Sequence, residues 1–429
     1  MIYLSKKENL LKSSIVIGSA LFSMFFGAGN IIFPSYLGFL SGNNWFGAFI
    51  AFYIVDIVLA IIALLSIISA ISSKNLFLVG GKFFSNTVLL IVAICLGPLI
   101  TVPRTASTTY ELSVLPLTNG INIFIFNILF FLIVFLLTFK KNSVIDIIGK
   151  ILTPLLLLGL IILIIKGVLL PTESPYKPTD IKESVYLGID AGYQSMDVFA
   201  SIIFGGMIIN TIKGITKEKP CQKRIALISG LISGIALLFI YLGLTYLGYK
   251  FANLFEESIT RTELIYSIVK IVFKGKFGPI FFSILVALAC LSTAIAVVSS
   301  IAEQLSNSYK KIGYTAFLTI ICVISALMAS FSVENIVAIG QPILQIIYPP
   351  VLVAIFLSFF NLQLKPKEAK FLIYFSAFFS TLHTIVPEKM NLLSPIFPFV
   401  EIGLGWTIPI ILATIIFIIY NKIKKRELH

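Results

Sequence analysis

Helix-breaking and polar residues interrupt an apolar run near the N-terminus, in FFGAGNIIFP at 25–34. Gly27, Gly29, Asn30 and Pro34 disfavour a continuous helix. A helix that breaks inside a membrane exposes N–H and C=O groups that need a ligand. The second half, predicted to begin near Asn30, would point its positive end at the break, which favours a carboxylate. The alternative is a small-residue packing face, although the two glycines lack the Gly-x-x-x-Gly spacing.

A second interruption lies in GIDAGYQSMDVFASIIFGG at 188–206. Gly192, Gln194, Ser195 and Asp197 follow one another closely at what should be apolar depth. An acid within a membrane span is costly and by default marks a functional position. Interrupted helices at corresponding positions of two halves are typical of transporters built from inverted repeats. The repeat is predicted from hydropathy and from these two breaks.

Two adjacent hydroxyls, Ser292 and Thr293, stand in the otherwise apolar segment 288–300. Hydroxyls in helices often bond their own backbone, which is one interpretation. Beside the free carbonyls of the first break, they would instead supply oxygen ligands to a small hard cation such as Na⁺.

Three further ionisable residues fall within apolar segments. Arg104 and Glu111 are seven residues apart and project from one helical face. They are predicted to form a gate or a structural ion pair, and the alternative is that they snorkel to the surface. Asp56 stands alone, and a satisfied structural acid is favoured over a proton carrier.

The elements that position these residues are membrane-spanning helices. Of the 429 residues, 58% are hydrophobic and 12% charged, and the mean hydropathy is +1.03. Residues 13–55 contain no Asp, Glu, Lys or Arg. So few charges could not cover a soluble surface, and the charge-free runs reach the ~20 residues that a helix needs to cross a bilayer. The composition therefore predicts an all-α polytopic membrane protein.

About twelve spans are predicted, which makes the whole chain, 1–429, a single transmembrane domain. Two five-helix repeats occupy 1–170 and 185–360, and their first helices, spans 1 and 6, are the broken ones. The predicted spans are 12–40, 46–71, 84–114, 120–139, 146–168, 185–212, 224–248, 278–304, 312–331, 335–360, 370–387 and 397–421.

The formal net charge is +13, from 32 Lys and Arg against 19 Asp and Glu. Most of these basic residues lie in loops that twelve crossings would place on the same side as both termini. Because cytoplasmic loops carry the excess of Lys and Arg, the charge predicts cytoplasmic termini rather than a nucleic-acid partner.

Between spans 7 and 8, the segment 255–275 has helical apolar periodicity. It is predicted to lie on the mouth of the protein, or alternatively on the lipid interface.

Three motifs identify a family resemblance: FFGAGNIIFPSYLG at 25–38, GPLITVPRTASTTYE at 97–111 and GYQSMDVFASIIFG at 192–205. The chain resembles the branched-chain amino acid:cation symporters (BrnQ-type carriers) over essentially its whole length. The first span and LACLSTAIA at 288–296 are also similar to the LeuT-type fold of sodium-coupled transporters. That resemblance implies a ten-helix core with two additional C-terminal helices, at 370–421.

The resemblance implies import of leucine, isoleucine and valine by alternating access, coupled to Na⁺ or H⁺. It implies a Na⁺ site made of the carbonyls of Phe25, Ala28 and Ala289 and the hydroxyls of Ser292 and Thr293. The substrate is expected at mid-membrane between spans 1, 3, 6 and 8. Its carboxylate would face the backbone of Gly27, Ala28, Gly29 and Asn30, and its amine the carbonyls of Gly192, Tyr193, Gln194 and Ser195. Asp197 joins Arg104 and Glu111 as a candidate gating or ion-pair residue.

Other functional classes remain as alternatives. A channel would favour a continuous polar pore or a filter repeat, neither of which is visible in the sequence. An enzyme would need a catalytic cluster or a nucleotide loop, and no such motif is found. A carrier of the same fold for another small neutral solute is the nearest alternative. The expected partners are the amino acid, the coupling cation and membrane lipid, without nucleic acid or any organic cofactor.

Overall fold

The computed structural model describes residues 2–118, 120–139, 153–172, 178–275, 277–362, 364–397 and 399–427. Within these ranges the protein consists of helices and turns without any strand, as the composition predicts. The helices are α1 (Ile2–Phe25), α2 (Ala28–Ser41), α3 (Trp45–Tyr53), α4 (Leu59–Ala70), α5 (Ser73–Phe77), α6 (Lys82–Ile94), α7 (Thr101–Thr109), α8 (Ile123–Phe139), α9 (Thr153–Leu169), α10 (Ile181–Ser195), α11 (Asp197–Ile215), α12 (Lys219–Lys250), α13 (Arg261–Val272), α14 (Phe277–Ser308), α15 (Tyr314–Met328), α16 (Val333–Phe359), α17 (Pro366–Ile385), α18 (Pro387–Asn391) and α19 (Thr407–Glu427).

Seven stretches of the described residues are long and apolar enough to cross a membrane. They are Ala28–Ala70, Lys82–Val114, Ile181–Ile215, Lys219–Lys250, Phe277–Ser308, Val333–Phe359 and Thr407–Lys424. Shorter apolar helices accompany them at Leu10–Phe25, Ile123–Phe139, Pro154–Leu169 and Tyr314–Met328. The protein is therefore a multi-pass helical membrane protein, while the number of twelve crossings stays a prediction.

Several predicted boundaries need correction. The second half of the first span begins at Ala28, two residues before Asn30, and only Phe26 and Gly27 separate it from α1. The last span begins at Thr407 rather than 397, since Phe399 (φ 68°) and Gly403 (φ 73°) are left-handed and prevent a helix there. Of the predicted span 146–168, residues 146–152 lie outside the described ranges.

Spans 2 and 3 are interrupted by single π-helical turns. One turn, Ile54–Val58, separates α3 from α4, and another, Cys95–Leu99, separates α6 from α7. The latter contains Pro98, which cannot donate a backbone hydrogen bond to the preceding turn. A third turn, Tyr110–Val114, follows α7. Turns of this kind shift the faces that the residues on either side present.

The helix α2 packs against α12 at backbone distance. A Cβ placed on Gly38 would lie 1.8 Å from the carbonyl oxygen of Thr245, and one on Gly248 would lie 1.8 Å from that of Ser35. Small residues allow helices in a membrane to approach this closely. The contact positions α2, which carries the first break, in the middle of the bundle.

The amphipathic segment after α12 forms α13, whose apolar face packs on protein. Leu264, Ile265 and Ile268 are fully buried, and α13 lies against α2, α9 and α14. This arrangement agrees with a helix on the mouth of the protein rather than one resting on lipid. By contrast, α8 exposes a row of large apolar side chains, among them Phe124 and Ile128, as a lipid-facing helix should.

Replacing Gly38 by alanine is expected to destabilise the protein, because even a methyl group would overlap the Thr245 carbonyl. The cost should be about 1–3 kcal/mol, as for overpacked cores. Gly214→Ala is the control, since a Cβ there meets no atom within 4 Å and alanine favours helix over glycine. Thermal unfolding in detergent should show a lower midpoint for Gly38→Ala alone, and equal midpoints for the two variants would contradict the contact.

Candidate functional site

Both predicted interruptions are present as breaks between consecutive half-helices. Between α1 and α2, Gly27 is extended, with φ −122° and ψ −164°. Between α10 and α11, Met196 is left-handed, with φ 67° and ψ 24°. A non-glycine residue in that conformation is uncommon and strained, and it persists only where its surroundings hold it in place. Each break turns the C-terminal end of one half-helix and the N-terminal end of the next toward the protein interior.

The first break lies against the hydroxyl-bearing segment of α14. The hydroxyl of Thr293 donates to the carbonyl of Phe26 over 3.4 Å, while Ser292 donates to the carbonyl of Ala289 over 2.8 Å within its own helix. A Cβ on Gly27 would lie 3.1 Å from Cγ2 of Thr293, so a larger residue would push the two elements apart. The structure thus brings Thr293 to the break, and the carbonyl that it contacts is that of Phe26 rather than Phe25 or Ala28.

Asn30 connects the two breaks. Its side chain is 2% exposed, and its Oδ1 accepts the N–H of Gly27 over 3.3 Å. Its Nδ2 donates to Oδ2 of Asp197 over 3.0 Å and also to the hydroxyl of Tyr241 on α12. One amide therefore ties the start of α2 to the first residue of α11.

Asp56, which lies in the second span, contacts the second break. The hydroxyl of Ser195 donates to Oδ1 of Asp56 and, over 2.9 Å, to the carbonyl of Gly192. The backbone N–H of Asp197 faces the same carboxylate, whose Oδ2 has no hydrogen-bond partner among the described residues. A carboxylate at the N-terminus of α11 satisfies a free N–H and interacts favourably with the helix dipole. These contacts agree with the interpretation of Asp56 as a structural acid.

Arg104 lies between the two breaks and is 1% exposed. Its Nη1 donates to the carbonyl of Gln194 over 2.7 Å, and its guanidinium lies 5.1 Å from the centre of the Phe33 ring. A Cβ on Gly29 would lie 2.8 Å from Nη2 of Arg104, so the glycine makes room for this arginine. Arg104 thus occupies a carbonyl at the end of α10 that the sequence suggests for the substrate amine.

Arg104 and Glu111 have other partners and do not pair with each other, while a gating role for either residue stays a prediction. Glu111 accepts the hydroxyl of Thr262 over 2.7 Å and the N–H of Val333 over 2.9 Å. Seven residues correspond to about 10 Å along a helix axis, and Glu111 lies in the π-helical turn Tyr110–Val114, beyond the end of α7. Glu111 therefore connects α13 to the start of α16, away from the breaks.

A small cavity, with about 20 Å³ of water-accessible space, lies between the breaks. Of the predicted site residues, its wall includes Phe25, Gly27, Ala28, Gly29, Asn30, Arg104, Ser195, Asp197 and Thr293. The apolar part of the wall is formed by Met24, Leu96, Met196, Ala200, Phe204 and Val297. The cavity thus combines helix ends and charged groups with a surface for an aliphatic chain.

Three predicted substrate residues are not on this wall. Gly192 packs against Val55, and the ring of Tyr193 stacks on that of Tyr348, with centroids 4.3 Å apart. Gln194 contributes its carbonyl to Arg104, while its side-chain amide has no hydrogen-bond partner among the described residues.

The sequence alone did not point to the Phe26 carbonyl, to Tyr241 or to the strained Met196. Asp56 gave the one available signal, an acid in an apolar run, but nothing in the sequence pairs it with Ser195.

The fold matches solved transporters. The chain is similar to Mhp1, a nucleobase-cation-symport-1 family transporter, in a closed conformation with bromovinylhydantoin bound. That similarity has a TM-score of 0.62 at 15% identity, over 93% of this chain and 91% of the other. A Na⁺-coupled sialic acid symporter matches with a TM-score of 0.58 at 14% identity, over 94% and 89%. Fold and interior cavity together define a multi-pass helical membrane protein with the fold that these solved transporters share.

The family follows from sequence comparison. The family model described as "Branched-chain amino acid transport protein" matches residues 10–424, so the chain belongs to that family. A putative branched-chain amino acid carrier protein of Staphylococcus saprophyticus is 32% identical, covering 97% of this chain and 98% of the relative. The branched-chain amino acid permease BraB of Bacillus subtilis is 30% identical, covering 95% of each.

Asp56→Leu should destabilise the protein much more than Asp56→Asn. Leucine would leave no acceptor facing the buried Asp197 N–H and would leave the Ser195 hydroxyl only the Gly192 carbonyl, at about 1–3 kcal/mol for an unpaired buried group. Asparagine keeps an oxygen for both donors. The measurement is the midpoint of thermal unfolding in detergent, and equal losses for the two variants would show that Asp56 does not hold the second break.

Proposed function

We propose that this protein is a secondary active symporter that carries leucine, isoleucine and valine into the cell with Na⁺ as the coupling ion. Membership of the branched-chain amino acid transport protein family supports the substrate class. The observation that carries the proposal is the cavity between the two breaks, where helix ends for a zwitterion adjoin an apolar wall for a branched chain.

The substrate's carboxylate binds at the N-terminus of α2. Backbone N–H groups at the start of a helix, together with the helix dipole, favour an anion there. The other helix N-terminus at the breaks, that of α11, already faces the carboxylate of Asp56 and is therefore the poorer site for the substrate carboxylate. The ammonium then faces the C-terminal carbonyls of α10, where Arg104 contacts Gln194 and has to yield or share that carbonyl.

The coupling cation binds between the first break and α14. The carbonyls of Phe26 and Ala289 and the hydroxyls of Ser292 and Thr293 form a set of oxygen ligands, which suits a small hard cation. Since Thr293 contacts the break directly, a cation there would stabilise the arrangement that receives the substrate. Substrate and cation affinities must then rise together, because the coupling of two binding equilibria is reciprocal.

The charges buried at the breaks also favour a cation. Asp56, Asp197 and Arg104 are each at most 3% exposed, and they leave one negative charge in excess when all are ionised. A zwitterionic amino acid does not change that balance. An uncompensated buried charge is costly, so a monovalent cation or a proton bound beside these groups would restore neutrality.

Transport proceeds by alternating access in a LeuT-type fold. The helices around the breaks move relative to the rest of the core of the two repeats, 1–170 and 185–360, and the helices at 370–421 lie outside this core. The termini are cytoplasmic, as the excess of Lys and Arg in the loops on their side indicates.

The proposal is tested by uptake of labelled leucine into liposomes that contain the purified protein, with Na⁺ and pH gradients imposed separately. Saturable, stereospecific uptake that follows the Na⁺ gradient is expected. Uptake that follows only the pH gradient would assign coupling to H⁺. Current without saturable uptake would indicate a channel. Uptake of a different solute instead of leucine would overturn the proposed substrate.

Gly29→Leu should abolish leucine uptake while the protein still reaches the membrane. The new side chain would displace Arg104 and fill the space at the start of α2 where the carboxylate binds. Gly206→Leu is the matched control, because a Cβ at this exposed position meets no atom within 4 Å. Uptake by Gly29→Leu equal to that of the control would remove the first break from the substrate site.

Ser292→Ala/Thr293→Ala should shift the Na⁺ dependence of leucine uptake to much higher concentration, roughly tenfold or more. A bound ion has given up its hydration water, and this variant would lose two of the oxygen ligands that replace that water. Leucine affinity should fall as well, since the linkage runs both ways. The measurement is uptake against Na⁺ concentration at fixed pH, and superimposable curves for variant and parent would place the cation elsewhere.

A further inference from the structure

A roomy pocket lies at one end of the helix bundle, where α4 and α11 end and α12 begins. It has about 760 Å³ of water-accessible space, within the range of about 300–1,000 Å³ that is usual for ligand pockets. We call it the lysine pocket, because four lysines line it: Lys213, Lys217, Lys219 and Lys223. None of its lining residues belongs to the cavity between the breaks.

The charge around the lysine pocket is of one sign. Residues 213–224 contain four lysines, one arginine and one glutamate. That acid, Glu218, is not among the described residues that line the pocket. The ion pairs between described residues also leave all four lysines out. Positive charges gathered around one space create a potential that attracts an anion into it.

The first turn of α12 forms part of the same wall. Lys219 is the first residue of α12, and Pro220, Gln222 and Lys223 follow it along the wall. The N-terminal end of a helix carries free N–H groups and the positive end of the helix dipole, both of which favour an anion. Nε2 of Gln222 donates to the carbonyl of Thr216 over 2.9 Å, which fixes the turn between α11 and α12.

The rest of the wall is largely apolar. Ile68 and Ile71 at the end of α4 and Ile209 on α11 supply it. The hydroxyl of Ser73, just beyond α4, donates to the carbonyl of Ile202 on α11 over 2.6 Å, so these two parts of the wall are held together. The lysine pocket thus places apolar side chains beside positive charges, an arrangement that suits an amphiphile with an anionic head.

An exposed apolar stripe continues from the pocket along α12. Leu227, Leu231 and Ile235 follow Lys223 at successive intervals of four residues, so each lies one turn further along the helix. All three side chains are exposed. The stripe extends about 18 Å from Lys223, slightly more than half of the ~30 Å hydrocarbon core. It therefore offers an acyl chain a surface about one leaflet long.

We propose that the lysine pocket binds the phosphate headgroup of an anionic phospholipid, whose acyl chain lies along the apolar stripe of α12. A zwitterionic headgroup would bring its own cation to the lysines, so a headgroup with net negative charge is required. The pocket lies on the side predicted to be cytoplasmic, where basic pockets between helices suit such headgroups. Free phosphate shares the chemistry of the headgroup but makes no contact with the stripe.

A lipid bound here joins the ends of three spans. It contacts the end of α4 in the second span, the end of α11 in the sixth and the start of α12 in the seventh. Lys213 lies in the last turn of α11, and the same half-helix begins with Asp197 at the second break. The lipid therefore restrains, at its far end, the half-helix that begins at this break.

The test is native mass spectrometry of the purified protein in detergent, titrated with dioleoyl phosphatidylglycerol. Saturable retention of the lipid is expected. Lys213→Gln/Lys217→Gln/Lys219→Gln/Lys223→Gln should raise the half-saturating concentration about tenfold or more, because it removes the charges that attract the headgroup. The same four positions changed to arginine keep the charge, and that variant should retain the lipid at least as well as the parent. Binding by the arginine variant as weak as that of the glutamine variant would overturn the electrostatic role.

The matched control is Lys310→Gln/Lys311→Gln/Lys367→Gln/Lys422→Gln. It removes the same charge from exposed lysines of other segments on the same predicted side. Its lipid titration should equal that of the parent. A loss as large as that of the lysine-pocket variant would show attraction by overall charge alone and overturn the site, as would identical titrations for the lysine-pocket variant and the parent.

Two further ligands separate the headgroup from the chains. Dioleoyl phosphatidylcholine has the same chains without net charge, and its retention should be weak and equal in the parent and the lysine-pocket variant. Inorganic phosphate lacks the chains and should not displace phosphatidylglycerol at equal concentration. Displacement by inorganic phosphate would make this a site for the free anion, and retention of phosphatidylcholine equal to that of phosphatidylglycerol would remove the role of the lysines. Either result would overturn the proposal.

Discussion

Backbone groups inside a membrane have no water to bind, and the central part of this protein is organised around that constraint. A helix satisfies its own N–H and C=O groups, whereas a break leaves them free. Here the two breaks are supported by side chains from other spans: Thr293 for the carbonyl of Phe26 and Asp56 for the hydroxyl of Ser195 at the second break. The backbone N–H and C=O groups that remain free at the breaks are suited to a ligand that carries both a negative and a positive charge.

The support is shared between the breaks rather than separate for each. Asn30 binds Gly27 at the first break and Asp197 at the second, so a movement of one half-helix is felt by the other. Arg104 adds a second bridge, from the space beside Gly29 to the carbonyl of Gln194. A transporter that opens its site alternately to the two sides of the membrane must rearrange these contacts together. A buried network of this kind also penalises partly formed states, because each unpaired member is costly.

Close helix packing allows these polar contacts to form. The contact of Gly38 and Gly248 with the opposite backbones brings α2 against α12, and Tyr241 on α12 thereby reaches Asn30. Similarly, Gly192 lets α10 approach Val55, next to Asp56 in the second span. Small residues and buried acids thus act together: the glycines set the distances over which the short side chains bond.

The sequence by itself determined the class of protein, the breaks in spans 1 and 6 and the presence of hydroxyls opposite the first. These features depend on local properties: apolar runs as long as a bilayer is thick, residues that disfavour helix, and polar groups at apolar depth. Only the tertiary structure decided the partners. Nothing along the chain pairs Asp56 with Ser195 or Asn30 with Tyr241, since each pair joins residues more than a hundred positions apart. The spacing of Arg104 and Glu111 did not reveal their partners, which lie on other helices, and left-handed residues at Phe399 and Gly403 replaced part of a predicted helix. Local chemistry can be read from residues, but partners depend on helix packing and on small departures from ideal helical geometry.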